Sequence, residues 1–255
     1  MVRGLHTFKK YFEPFPHNYV IIGGTACDMI LSDAGLTPRA TKDIDIILVV
    51  EALSKSFGKE FWKFIKDGKY EYQEKSEEER KYYRFMKPEE KEFPFQIELF
   101  SRTPGLIELD DTAHLTPIPI DDDLSSLSAI LLNNDYYDFI IKHSRVENGL
   151  HRANTEALLC LKAKAFLEIR DRIANGSKED SKQLNKHRND IFRMAVMLAE
   201  NDVFELPETI KTHLQNFIDI VTKDLPDKAI FKEMGLGNLN VKLVYPQLRK
   251  SFGLN

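Results

Sequence analysis

Residues 19–50 read YVIIGGTACDMILSDAGLTPRATKDIDIILVV. The mostly apolar residues at the start of this stretch predict a short buried strand. Gly23 and Gly24 follow it and predict a sharp turn whose backbone can approach a ligand closely. A helical stretch then leads to a second apolar run that contains Asp43 and Asp45. Because side chains alternate along a strand, both carboxylates are expected on one face, with the neighbouring isoleucines on the other.

The carboxylate pair points to metal-ion chemistry. Two carboxylates side by side on one strand face repel each other and lose hydration, and a divalent cation is a common partner that offsets both costs. Asp43 and Asp45 supply hard oxygen ligands of the kind that Mg²⁺ and Mn²⁺ prefer. The sequence therefore predicts a Mg²⁺ (or Mn²⁺) site at this strand.

The order of these features resembles the signature of the nucleotidyltransferase superfamily whose fold is shared with DNA polymerase beta. Gly23, Gly24 and Thr25 match its first part, and Asp43 and Asp45 match its Asp-x-Asp. In that family the glycine turn and the Thr or Ser hydroxyl hold a nucleoside triphosphate at a helix N-terminus. The carboxylates hold the metal ions there, and the reaction moves a nucleoside monophosphate to a hydroxyl with release of pyrophosphate. The resemblance covers roughly the first hundred residues.

A finer resemblance comes from the insert before the carboxylate pair. Residues 26–42 form a longer insert than in many members, and Arg39 and Thr41 precede the pair. These features look like the branch that contains the AbiEii-type toxins of toxin–antitoxin systems. That branch would imply an antitoxin protein as a partner, while RNA, a protein side chain and a small molecule all stay open as acceptors. The alternatives are an aminoglycoside-type small-molecule nucleotidyltransferase and a non-catalytic nucleotide-binding regulator.

Glu98, within FPFQIELF at residues 93–100, is the candidate third carboxylate. A glutamate in so apolar a strand is unfavourable without a partner. In the family the third carboxylate lies on a neighbouring strand after a hairpin, which is where Glu98 falls, although the family residue is more often Asp. It would help to activate the acceptor and to bind metal. The other interpretation is an edge-strand glutamate that faces solvent, which would favour the non-catalytic regulator.

Two charged residues of the second half are candidate nucleotide contacts. Lys162 falls in an apolar helix stripe between Leu158 and Phe166, so its ammonium either needs an anion or extends to the helix edge. The family has a lysine on the first helix after the sheet, which implies a nucleotide phosphate in the cleft before the helical half. Asp190, within NKHRNDIFRM at residues 185–194, either forms surface ion pairs or orients Lys162 or another active-site base.

The hydrophobic periodicity predicts an α/β (α+β) chain. We expect a mixed-sheet nucleotidyltransferase core over residues 1–150, followed by a helical domain over residues 151–255 that closes the nucleotide cleft and contains no strand. A charged run at 74–80 is expected to be exposed, and an acidic run at 121–123 to begin a helix. Strands of the first half are expected at 19–22, 44–50, 82–86, 93–100, 116–120 and 136–142, and its main helices at 26–33, 52–65 and 124–132.

Composition excludes several classes of protein. The formal net charge of −4 over 255 residues gives no bulk basic field for nucleic acid. Cys27 and Cys160 lie far apart in apolar patterns and are expected to be buried free thiols. The seven histidines show no zinc-binding spacing. Because the sequence starts without an apolar signal segment and has no run as long as a membrane span, we expect a cytoplasmic protein with no membrane partner.

Overall fold

The computed structural model describes residues 2–71, 82–100, 133–176 and 181–255. The chain divides into two compact units, each built from three segments: residues 1–28, 40–121 and 144–153 form the first, and residues 29–39, 122–143 and 154–255 form the second. The predicted charged run at 74–80, strand at 116–120, acidic run at 121–123 and helix at 124–132 lie outside the described residues.

A six-stranded mixed sheet organises the first unit. Its strands are β1 (Tyr19–Ile22), β2 (Asp43–Leu48), β3 (Tyr82–Met86), β4 (Gln96–Phe100), β5 (Ser144–Glu147) and β6 (Leu150–Ala153). They lie in the order β3-β4-β2-β1-β6-β5. The central strand β1 is antiparallel to β2 and parallel to β6, and β2 is parallel to β4. Antiparallel pairing adds β3 to β4 and β5 to β6.

Aromatic helices cover one face of this sheet. Helices α1 (Leu5–Phe12) and α3 (Lys55–Asp67) have strongly amphipathic sequences, with α2 (Gly23–Asp33) between them in the chain. A buried phenylalanine ring of α1 contacts Tyr19 of β1, and one of α3 contacts Phe85 of β3. Burying each such ring stabilises the fold by about 1.5–3 kcal/mol. Asp45 pairs with Ile22, three residues after Tyr19, so the carboxylates of β2 point to the opposite face.

The second unit is helical in its described part. Its helices are α4 (Asn134–Lys142), α5 (Thr155–Ala174), α6 (Ser181–Ala195), α7 (Glu208–Val221), α8 (Ala229–Lys232) and α9 (Val241–Ser251). The prediction of a strand at 136–142 is wrong, because these residues belong to α4. Its buried residues include Tyr136, Phe139 and Ile140, a helical spacing, and the side chain of Asn133 caps its first turn.

The β5–β6 hairpin was not predicted, and the expectation of no strand after residue 149 is wrong. Residue 150, where the sequence places a domain boundary, begins β6. Asn148 and Gly149 form the turn with φ of 51° and 75°. An Asn-Gly pair is the usual sequence of a two-residue hairpin turn with positive φ at both positions, so this signal was present in the sequence.

The fold class predicted from the sequence is confirmed, since a mixed sheet and surrounding helices make an α/β structure. Helix α5 begins at Thr155, and the side chain of the preceding Asn154 makes no capping hydrogen bond. Cys27 and Cys160 are buried and form no disulfide with each other, as expected. Within the described ranges, no helix combines the length and apolar character needed to cross a membrane.

Candidate active site

Three carboxylates singled out in the sequence share one face of the sheet. The parallel register of β2 and β4 pairs Asp43 with Gln96 and Asp45 with Glu98. Register partners on adjacent strands point to the same side of a sheet, so Glu98 joins both aspartates on the face that α1 and α3 leave uncovered. The structure therefore brings these three residues together, and their roles stay predictions.

Gly23 makes room for the carboxylate of Asp45. The residue begins α2 with a left-handed φ of 66°. A Cβ atom built on Gly23 would lie 1.8 Å from Oδ2 of Asp45, far closer than any van der Waals contact. The antiparallel pairing of Ile22 with Asp45 explains why the two residues meet. Glycine is thus required here both for backbone conformation and for close approach.

Thr25 ties the first turn of α2 to β2. Its side chain is fully buried, and its Oγ1 donates a hydrogen bond of 2.5 Å to the backbone carbonyl of Asp43. In this arrangement the hydroxyl positions the strand that carries the carboxylates. Gly24 lies between these contacts and is half-buried. The phosphate contacts that the family resemblance implies for Gly23, Gly24 and Thr25 stay predictions.

Glu98 is held by two neighbours that the sequence analysis missed. Its side chain is buried, with the residue 8% exposed. Arg84, its register partner on β3, places Nε 3.0 Å from Oε1, and the Nε2 of Gln96 donates to the same oxygen at 2.5 Å. The antiparallel register of β3 with β4 creates the Arg84 contact. The hairpin was predicted, but the length of its connection left the register open.

The charge state of Glu98 follows from this crowding. Burial raises the pKa of its carboxyl, and so do the charges of Asp45 and Asp43, while Arg84 opposes the shift. The resulting pKa is about 8 against an ordinary value of 4.5, and a hydrogen bond to Asp45 contributes in the same direction. Glu98 is therefore mostly protonated at neutral pH, and its proton relieves part of the repulsion between the carboxylates.

This shift predicts a pH-dependent stability. The folded state binds more protons than the unfolded state between pH 4.5 and about 8, so the free energy of unfolding should fall as the pH rises through that window. We expect Glu98→Gln to remove this slope, with a difference on the order of a few kcal/mol between the two ends. Urea denaturation at pH 5 and pH 8 measures it. The exposed Glu89→Gln is the control, and an unchanged slope in Glu98→Gln would contradict the assigned shift.

The carboxylates fit a divalent cation in donor chemistry, since all offer hard oxygen ligands. Across the described part of the chain, however, no three His, Cys, Asp or Glu side chains are arranged as a ready-made ligand set. The carboxyl of Glu98 is shared among Arg84, Gln96 and Asp45. Asp43 and Asp45 are therefore the better-placed ligands, and participation by Glu98 requires loss of its proton and release from Arg84.

Lys162 and Asp190 meet within the second unit. Nζ of Lys162 lies 2.8 Å from Oδ2 of Asp190, and the two side chains are only 7% and 4% exposed. Asp190 is thus an anionic partner for the Lys162 ammonium within the apolar stripe. The ammonium does not extend to the helix edge. This contact joins α5 to α6. The predicted role of both residues in nucleotide binding is a separate question, which stays a prediction.

Arg39 also contacts Asp190, and it was not predicted to be a site residue. Its Nε lies 2.8 Å from Oδ1 of Asp190 and its Nη2 lies 2.9 Å from Oδ2, a two-pronged contact. Burial alone would raise the pKa of Asp190, but Lys162 and Arg39 hold it well below its usual range. No periodicity connects Arg39 to Asp190, because 151 residues separate them.

No protein-family model matches the chain, and no curated protein matches it. Among solved structures, it is similar to the crystal structure of an antigenic nucleotidyltransferase-like protein from Paracoccidioides brasiliensis. The identity is 14%, the match covers 96% of this chain and 90% of that chain, and the TM-score is 0.48. A likeness this distant does not establish a function for this chain.

Proposed function

We propose that this chain is a nucleotidyltransferase that moves a nucleoside monophosphate from a nucleoside triphosphate to a hydroxyl acceptor. The observation that carries the proposal is the gathering of Asp43, Asp45 and Glu98 on one sheet face. Asp45 packs against Gly23, the first residue of α2. The free amides and the dipole at a helix N-terminus suit a phosphate group. The start of α2 therefore offers a phosphate-binding position beside the carboxylates, within one unit.

The three carboxylates and Gly23 have distinct roles in this reaction. Asp43 and Asp45 would hold Mg²⁺ or Mn²⁺, which when bound neutralises charge on the phosphates. Gly23 allows the backbone to approach the triphosphate. The acceptor oxygen bonds to the α-phosphorus, the bond to the β-phosphate oxygen breaks, and pyrophosphate leaves. Glu98, in its carboxylate form, takes the proton of the acceptor hydroxyl.

Lys162 and Asp190 belong to the same proposal through the family resemblance. A lysine ammonium is a compact charge that binds phosphate oxygens well. We assign Lys162 a contact with the nucleotide phosphates and Asp190 the orientation of that lysine. The 2.8 Å ion pair between them supports the second assignment.

The acceptor and the biological context come from the resemblance alone. Arg39 and Thr41 before the carboxylate pair favour the AbiEii-type toxin branch, with RNA as an acceptor and an antitoxin protein as a partner. A small-molecule acceptor of the aminoglycoside type is the alternative within the class. A non-catalytic nucleotide-binding regulator would be favoured by a solvent-facing Glu98, and the burial of that side chain supports the catalytic proposal instead.

Pyrophosphate release tests the proposal and identifies the acceptor class. The purified chain is incubated with Mg²⁺ and each of ATP, CTP, GTP and UTP, together with total RNA, total cell protein, an aminoglycoside mixture or no acceptor. We expect one NTP to give pyrophosphate release that depends on the acceptor. Binding of NTP without pyrophosphate release under any of these conditions would contradict catalysis and support the regulator.

A further inference from the structure

The contact between the guanidinium of Arg39 and the carboxylate of Asp190 has a defined geometry. Nε and Nη2 of the guanidinium face the two carboxylate oxygens at 2.8 Å and 2.9 Å, so the contact is bidentate and fixes the plane of the carboxylate. The side chain of Asp190 is 4% exposed and that of Arg39 is 25% exposed. Arg193, one turn later on α6, approaches Oδ1 at 3.6 Å, a looser contact.

Lys162 depends on the same carboxylate. Its Nζ lies 2.8 Å from Oδ2, the oxygen that Nη2 of Arg39 also contacts. A lysine side chain has a flexible four-carbon stem, and its ammonium has no preferred plane, so the acceptor that it meets sets the position of Nζ. Arg39 orients Asp190, and Asp190 in turn locates the ammonium group of Lys162.

We infer that Arg39 is a positioning residue for nucleotide binding, which acts through Asp190 to hold the ammonium of Lys162 where it meets a triphosphate oxygen. The inference rests on the proposed function, which gives Lys162 its phosphate contact. It goes further by assigning a task to a residue outside both the carboxylate cluster and the lysine helix. Charge alone does not explain the arrangement, because a lysine at position 39 would also neutralise Asp190 but would not fix its plane.

A double-mutant cycle separates positioning from structure. The dissociation constants of the α,β-methylene analogues of the four NTPs are measured with Mg²⁺ for the wild type, Arg39→Lys, Lys162→Met and the double variant. We expect Lys162→Met to weaken binding. Arg39→Lys should weaken binding about tenfold when Lys162 is present and have little effect when it is absent, because the arginine acts through the lysine.

Arg39→Lys keeps the positive charge beside Asp190, so its melting temperature should stay within a few degrees of the wild-type value. Arg188→Lys is the matched control, because Arg188, an arginine of α6, also pairs with an acid, the exposed Asp224, which lies outside the proposed site. It should leave analogue binding unchanged. A lower melting temperature in Arg39→Lys, with an affinity that returns to the wild-type value when binding is measured well below that melting temperature, would indicate a structural role and overturn the inference.

Two further outcomes would also overturn it. Unchanged affinity in Arg39→Lys would show that the bidentate contact does not matter for the nucleotide, and an equal effect in the Lys162→Met background would show that Arg39 does not act through the lysine. In either case pyrophosphate release by the wild type would leave the proposed function standing. If the wild type neither binds an analogue nor releases pyrophosphate, the proposed function and the inference both fail.

Discussion

Replacing Gly23 with alanine is expected to abolish nucleotidyl transfer and to destabilise the protein. The new Cβ would lie 1.8 Å from Oδ2 of Asp45, so the carboxylate must leave its position or the start of α2 must shift. The left-handed φ of 66° adds a conformational cost of about 1–2 kcal/mol for a residue with a side chain. Displacement of a reacting group by about 1 Å can cost a hundredfold in rate, and we expect at least that loss of pyrophosphate release.

Gly35→Ala is a matched control for this variant. Gly35 has a similar positive φ of 73°, but a Cβ built there meets no atom within 4 Å. It should show the conformational cost in its melting temperature and keep transfer activity. Comparison of the two variants by thermal melting and pyrophosphate release separates backbone strain from displacement of Asp45. Equal activity in Gly23→Ala and Gly35→Ala would contradict the assigned role of the close approach.

Asp43→Asn is expected to remove transfer activity by at least about a hundredfold while the fold is kept, because the change deletes a proposed metal ligand. The Asp43 charge also helps to raise the pKa of Glu98, so its removal relieves repulsion within the site. The melting temperature at pH 7.5 should therefore be equal to or higher than that of the wild type. A matched variant, Asp171→Asn, changes an exposed carboxylate in α5 and should alter neither quantity.

Activity and melting temperature together distinguish a metal-binding role of Asp43 from a structural one. Loss of activity with a lower melting temperature in Asp43→Asn would indicate that the carboxylate is needed for structure. Wild-type activity would remove Asp43 from the site altogether. Rates are measured by pyrophosphate release over a range of Mg²⁺ concentrations, because partial rescue at high Mg²⁺ is the result expected for a weakened ligand.

Local sequence patterns were sufficient for much of the first unit. The apolar alternation around Asp43 and Asp45 and the Gly-Gly turn before them predicted β1, α2 and β2, because these features depend on neighbouring residues. The family resemblance placed Glu98 on a strand near the aspartates, and the parallel register of β2 with β4 puts it on their face of the sheet. The prediction for the α4 segment was wrong because a short apolar run suits either a strand or a helix.

Long-range pairing explains what the sequence did not predict. The contacts of Arg84 with Glu98 and of Arg39 with Asp190 depend on strand register and on chain folding over distances that no periodicity encodes. The protonation of Glu98 follows from burial and from two nearby charges, which are properties of the folded chain. The Asn148-Gly149 turn is different, because its hairpin signal lies in two adjacent residues and needs no long-range contact.

The central claim is that the site transfers a nucleoside monophosphate, and the position of the transferred phosphate tests it most directly. The wild type and Asp45→Asn are incubated with Mg²⁺, acceptor and the active NTP labelled at either the α- or the γ-phosphate. We predict that the wild type places the α-label on the acceptor, that the γ-label is recovered in pyrophosphate, and that Asp45→Asn does neither. Transfer of the γ-label to the acceptor, or equal transfer by Asp45→Asn, would contradict the account.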